Sequence, residues 1–138
     1  MMQLTRIFSL VALTATLVAC GRGDSGVTPS FAGAYNVNAP MIGNPCSITG
    51  LPGSIATTQT VAQADRSITL VSGTTTFTGA VDGDNGGFST TNKQTINAIE
   101  FNSTMNYRSS STAGTYGVQY ALSGGGCTVT YSGTAVRL

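Results

Sequence analysis

Tyr116, Val118, Tyr120 and Leu122 occupy alternate positions, with Gly117, Gln119 and Ala121 between them and Ser123-Gly124-Gly125-Gly126 directly after. Successive side chains of a strand point to opposite faces, so this stretch puts large apolar groups on one side and small or polar ones on the other. It is a strand buried on one face, ended by turn chemistry. The same pattern recurs along the chain. Tyr35 and Val37 share a face within 33–38. Ile55, Thr57, Gln59 and Val61 share one within 54–63, and Ile68 and Leu70 share one within 66–72. Phe77 and Val81 oppose Thr74, Thr76 and Thr78.

The breaks between these segments are turn residues. Pro40 to Pro45 forms a loop that delivers Cys46, and Gly50-Leu51-Pro52-Gly53 interrupts the chain again. Gly73 makes a tight turn, and Asp82-Gly83-Asp84-Asn85-Gly86-Gly87 reads as a hairpin tip returning through Phe88. Asn92-Lys93 is expected to separate that return strand from 95–107. Within 95–107 the phase changes: Ile96 and Ala98 share one parity, Ile99, Phe101, Met105 and Tyr107 the other. A bulge near Asn97, or two separate strands, accounts for the change. Ser109 to Gly114 turns the chain, and Cys127 to Tyr131 begins the last strand. Val136 and Leu138 fall out of phase with Val129 and Tyr131, which predicts a bulge at Gly133. Eighteen Gly and a charged fraction of only 8% leave little to clothe the solvent face of a helix. The class is all-β, with about eight short antiparallel strands.

The first residues have a different character. Ile7 to Ala19 is an apolar run behind Arg6, too short to cross a bilayer core of about 30 Å, with the proportions of a signal-peptide core. It stops at Leu17-Val18-Ala19-Cys20 and opens into Gly21-Arg22-Gly23-Asp24-Ser25-Gly26. Leu17-Val18-Ala19-Cys20 resembles the lipobox of bacterial lipoproteins. The resemblance implies a signal peptide over 1–19 that is removed, and a lipid (palmitate-type acyl chains) attached at Cys20. It also implies a membrane-anchored protein of the bacterial cell envelope, with Gly21 favouring the outer membrane in a Gram-negative host. Each buried methylene adds about 0.8 kcal/mol to such an anchor, so two or three chains hold stably. Residues 20–30 then form a flexible tether by composition, and 31–138 form the β domain. Arg22-Gly23-Asp24 matches an integrin-binding tripeptide, but a tether made of Gly, Ser and Asp accounts for it.

With Cys20 taken by lipid, Cys46 and Cys127 remain as an even pair in an oxidising compartment. They form a disulfide, worth roughly 4–5 kcal/mol by loop entropy, or stay as two buried thiols. Short hairpin connections throughout favour an up-and-down meander. A Cys46–Cys127 bond brings its first and last strands together, which makes a barrel. A two-layer sandwich is the alternative. The architecture resembles lipocalin-like and other small envelope barrels, without a signature motif.

The chain has no histidine, which removes Ser-His, Cys-His and His-metal chemistry. A Ser89–Lys93 pair is the remaining dyad, and an accidental one. Glu100 is expected to face outward and pair with Arg108 or Arg137. Asp82-x-Asp84 echoes a calcium loop but has Gly86 and Lys93 where oxygen ligands are required. No catalytic, cofactor-binding or metal residue is therefore expected. A net charge of +1 gives no field for nucleic acid. Tyr116, Tyr120 and Tyr131 either fill the barrel interior or face a ligand. The expected function is non-enzymatic: a structural or protein-interaction role at the membrane surface with an envelope protein as partner, or alternatively a carrier of a small apolar ligand.

Overall fold

A computed structural model describes residues 27–138. The signal peptide, Cys20 and Arg22-Gly23-Asp24 lie outside the described residues. The domain is a closed eight-stranded antiparallel barrel in strict meander order, β1 to β8, with β1 hydrogen-bonded to β8. The strands are β1 (Gly33–Gly43), β2 (Ser54–Ala64), β3 (Ser67–Ser72), β4 (Thr75–Val81), β5 (Gly87–Ile96), β6 (Ile99–Ser109), β7 (Thr115–Gly124) and β8 (Cys127–Arg137). Cys46 and Cys127 form a disulfide with Cα atoms 6.2 Å apart, within the usual span for such a bond. It joins the β1–β2 loop to the start of β8. The barrel, not the sandwich, is the fold.

Alternation decides what lies inside. Tyr35, Val37 and Ala39 of β1, Phe101, Met105 and Tyr107 of β6, and Val118, Tyr120 and Leu122 of β7 are all buried. Their neighbours in sequence face solvent or are partly exposed. Among the described residues every strand has a hydrogen-bonded neighbour on both sides, so closure leaves no free edge strand.

Two sequence expectations are corrected. Asn92-Lys93 does not end a strand: β5 runs through both residues to Ile96, and the break falls at Asn97-Ala98, both at positive φ (51° and 64°). That is the backbone of a two-residue hairpin turn, so the phase change marks two strands. The second concerns Gly133, where β8 stays in register with β7 (Val118↔Gly133) and has no bulge. The irregularity lies across the seam, in β1 between Met41 and Gly43. Gly133 is there for space: a Cβ on it would sit 1.9 Å from Asn38 O. Val136 faces outward because the inward position beside it belongs to Ala135, which is fully buried.

The two ends of the barrel differ. At the end carrying the β2–β3, β4–β5 and β6–β7 turns, Phe31 is inserted as a plug. It meets Phe88 edge-on at 5.3 Å and Tyr116 at 5.9 Å, and its carbonyl accepts the Tyr35 hydroxyl at 2.6 Å. Tyr107 stacks on Phe88 at 4.6 Å. Chain entry is clamped here as well. Gln63 receives the Phe31 N–H (2.7 Å) and donates to Pro29 O (3.0 Å), and Arg137 donates to Ser30 O and Ala32 O, each at 2.9 Å. The last residues of the expected tether are therefore part of the closed base.

Candidate functional site

At the opposite end the interior is not filled. A cavity of about 210 Å³, partly open to solvent, is lined at its mouth by Leu51, Pro52, Ile55, Ser72, Thr75 and Ile96. Further along the same strands it meets Phe77, Gln94, Met105, Tyr120, Leu122 and Tyr131. Two local features produce it. The first is the β1–β2 loop, which folds over the mouth. The disulfide, a hydrogen bond from Met41 N to Gly53 O (2.8 Å), and one from the Tyr131 hydroxyl to Pro52 O (2.8 Å) hold it there. Asn44 closes the loop on itself, accepting from Ile48 N and donating to Ile48 O, each at 3.0 Å. The second is a short seam. β4 and β5 pair only over Thr78–Val81 and Phe88–Thr91, so β5 runs on to Ile96 beyond its ladder with β4. The Asn92 side-chain amide donates to Thr76 O across this gap.

Beneath the mouth the barrel carries a polar layer. The Tyr107 hydroxyl donates to Gln59 Oε1 at 2.5 Å, and Gln59 Nε2 donates to Ser72 Oγ at 3.1 Å. Gln94 Nε2 donates to the Tyr120 hydroxyl at 3.0 Å, which donates onward to Ser103 Oγ at 3.4 Å. Thr90 Oγ1 donates to Met105 O at 3.0 Å. Gln59, Thr90 and Ser103 are fully buried, and buried polar groups persist where they are bonded in this way. The site thus has a mostly apolar mouth, with Ser72 and Thr75 on its rim, and a hydrogen-bonded interior.

The three tyrosines separate by height in the barrel. Tyr120 and Tyr131 line the cavity, their rings 5.6 Å apart. Tyr116 lies at the closed end among Phe31, Tyr35 and Tyr107. Periodicity places all three inside but does not say at which end. Gln94 and Ser72 are not singled out by the sequence, and Gln59 only as one member of the 54–63 face. Their signal is their phase, because each falls on the inward parity of its strand.

The charged groups are elsewhere. Asp82 Oδ1 accepts from Ser89 at 2.9 Å, Arg108 lies 3.1 Å from Asp82 and 3.3 Å from Asp84, and Arg66 donates to Asn85 at 3.0 Å. These contacts tie down the β4–β5 turn at the closed end. The Gly86 N–H and the Arg108 guanidinium hold the Asp84 carboxyl below the usual carboxylate range. Ser89 is thus engaged by Asp82, and Glu100 pairs with Lys93 at 3.2 Å on the outer surface rather than with Arg108 or Arg137. Among the described residues no three His, Cys, Asp or Glu side chains gather closely enough to hold a metal ion. A second depression of about 310 Å³ lies on the outer wall around Asn106, Arg108, Gln119 and Ser132. It is polar, its Arg108 is already engaged by Asp82 and Asp84, and Asn106 Oδ1 is buried there without a partner.

Burial raises the pKa of Tyr35, Tyr107, Tyr120 and Tyr131 above the ordinary phenol value of 10.0. The folded state therefore keeps protons that the unfolded state loses above about pH 10. Stability from these groups is complete below that pH and falls as pH rises toward the folded values. Each tyrosine that titrates only when unfolded contributes a slope of roughly 1.4 kcal/mol per pH unit. Urea midpoints are expected to drop steeply from pH 10 to 11.5, with a shallower slope in Tyr107→Phe. A flat profile over that range would rule out the buried, protonated phenols.

Comparison with protein-family models, curated proteins and solved structures finds no match to the chain.

Proposed function

We propose that the protein is a non-enzymatic binding protein that holds a small, largely apolar ligand in the open end of its barrel while anchored by lipid on Cys20 at a bacterial envelope membrane. The observation that carries the binding role is the cavity itself. Inward side chains of an eight-stranded barrel are large enough to fill it, and at the closed end they do. At the other end a cavity of about 210 Å³ is left, with apolar walls and a few convergent polar groups, as ligand sites have. A second barrel end plugged like the first would have served a purely structural role.

The anchor reading rests on the resemblance of Leu17-Val18-Ala19-Cys20 to a lipobox. It fits the way the chain enters the barrel, because residues 29–32 are clamped at the closed base. A lipid on Cys20 would thus be joined to the barrel through its closed base, the end opposite the mouth. Ile42 and Ile99 are exposed, at 64% and 44%, beside the connections that surround the mouth. They give an envelope partner an apolar rim to touch, which supports a contact role alongside carriage.

The test is to extract and identify small molecules from the protein purified from its own host. Wild type is expected to release a stoichiometric compound, and Thr75→Trp, which sets an indole at the mouth, much less. Equal release from both, or none from wild type, would overturn carriage. Cys20→Ala is expected to move the protein out of the membrane fraction and abolish palmitate incorporation. Retention in the membrane would sink the anchor.

A further inference from the structure

We propose, resting on the carrier reading above, that the cavity takes an uncharged molecule of about one ring's size bearing a single hydroxyl or amide, and that Ser72 and Gln94 recognise that group. Three observations converge on this class. The first is charge. Asp65, Arg66, Asp82, Asp84, Arg108 and Arg137 sit on the turns and strand ends of the closed base. Lys93 and Glu100 are exposed and paired with each other. Among the described residues, no ionisable group other than Tyr120 and Tyr131 lines the cavity. A carboxylate, phosphate or ammonium taken from water into these walls would find no counter-charge, and an unpaired buried charge is strongly disfavoured. An anionic group drawn inside the cavity walls is excluded on this ground.

The second is hydrogen-bonding capacity. The single hydroxyl proton of Tyr120 goes to Ser103 Oγ, so Gln94 must approach Tyr120 with its Nε2, leaving Oε1 as an acceptor without a partner among the described residues. Ser72 Oγ accepts from Gln59 Nε2, which leaves the Ser72 proton to donate. One free acceptor and one free donor line the same cavity. A ligand hydroxyl or primary amide, which both donates and accepts, can bond to either of them. A hydrocarbon would leave both unused, and a buried polar group without a partner costs affinity.

The third is volume. A dry protein cavity of about 150 Å³ takes benzene, so about 210 Å³ takes one ring and two or three further heavy atoms. Long-chain lipids do not fit within it.

Calorimetric titration of the full-length protein with benzyl alcohol, ethylbenzene and benzoate tests the class. Benzyl alcohol is expected to bind about tenfold more tightly than ethylbenzene, the difference one well-made hydrogen bond supplies, and benzoate not measurably. Gln94→Leu is expected to remove that preference by weakening benzyl alcohol about tenfold while leaving ethylbenzene unchanged or tighter. Ser72→Ala, at the rim, gives the same readout without altering Gln94. Ethylbenzene binding as well as benzyl alcohol in wild type, or a preference untouched by both variants, would overturn the polar recognition and leave the carrier reading standing. Tight benzoate binding would overturn the exclusion of charge. Failure of all three to bind would remove the carrier reading and this class together.

Discussion

Replacing Cys46 and Cys127 together by serine is expected to lower the unfolding free energy by roughly 4 kcal/mol. A domain of this size has about 5–15 kcal/mol in total, so the variant is expected to sit near its folding limit. The size of the effect follows from what the bond encloses. The two cysteines are 81 positions apart, and the loop between them contains the chain from the end of β1 to the start of β8. Every hairpin of the barrel joins neighbours in sequence except the β1–β8 seam, which closes the sheet from its two ends. That seam has the highest loop-closure cost, and the disulfide removes most of it from the unfolded chain. Urea unfolding of wild type, both single serine variants and the double variant checks the account. The three variants should be nearly equal, because the loss belongs to the bond and not to either side chain. A loss below about 1 kcal/mol would mean that the seam closes without help from the covalent link.

The bond also holds the β1–β2 loop over the mouth, so its removal should act on the cavity. Tyr131 still donates to Pro52 O, and one such bond contributes about 1 kcal/mol net. The loop is therefore expected to open more often in the serine variant, and ligand to leave faster. Stability and site share one structural device.

Much of this was legible in the residues. Tyr116-Val118-Tyr120-Leu122 and Ile68-Leu70 announce strands because one face of each is wholly apolar. The cysteine positions then point to closure, because they mark the first and last strands. Legibility fails where the inward face is polar. Thr90, Asn92 and Gln94 continue the inward phase of Phe88, but their chemistry reads as a break in the strand. In the fold Thr90 joins the hydrogen-bonded layer and Gln94 faces the cavity. Ala98 hides its turn for a different reason: alanine rarely takes positive φ, so the pair Asn97-Ala98 lacks the usual glycine signal.

The cavity was not legible, for a physical reason. Alternation fixes which side of the sheet a residue faces but not its height in the barrel. Tyr116 and Tyr120 are four residues apart on one strand face. One packs against the Phe31 plug and the other lines the open end, and neither outcome is encoded in β7 itself. It depends on Phe31, on the loop held by Cys46 and on the short β4–β5 ladder, three features remote in sequence that together empty one end and fill the other.

Gly133→Ala is expected to cost about 3 kcal/mol or more, the upper end for forcing extra volume into a packed structure, and to open the barrel at the same seam. The added methyl would lie 1.9 Å from Asn38 O and 2.5 Å from Ala39 Cα. Both are backbone atoms, so no rotamer relieves the overlap, and β1 must move away from β8. The ladder that moves includes Asn38↔Thr134 and Val37↔Ala135, the pairs that close the sheet. Gly117→Ala is the internal control. It lies on the adjacent strand opposite Thr134, and its added Cβ meets nothing nearer than Arg108 O at 3.9 Å. With no positive φ to strain, that variant is expected to be neutral or to gain about 0.4–1 kcal/mol from the stiffer unfolded chain. Urea unfolding of the pair decides between two accounts of glycine here. If both variants lose equally, glycine serves strand flexibility in general. A loss confined to Gly133→Ala means that the β1–β8 seam is pinched until only a hydrogen fits, so that barrel closure is set by the backbone approach at Gly133 as well as by the disulfide above it.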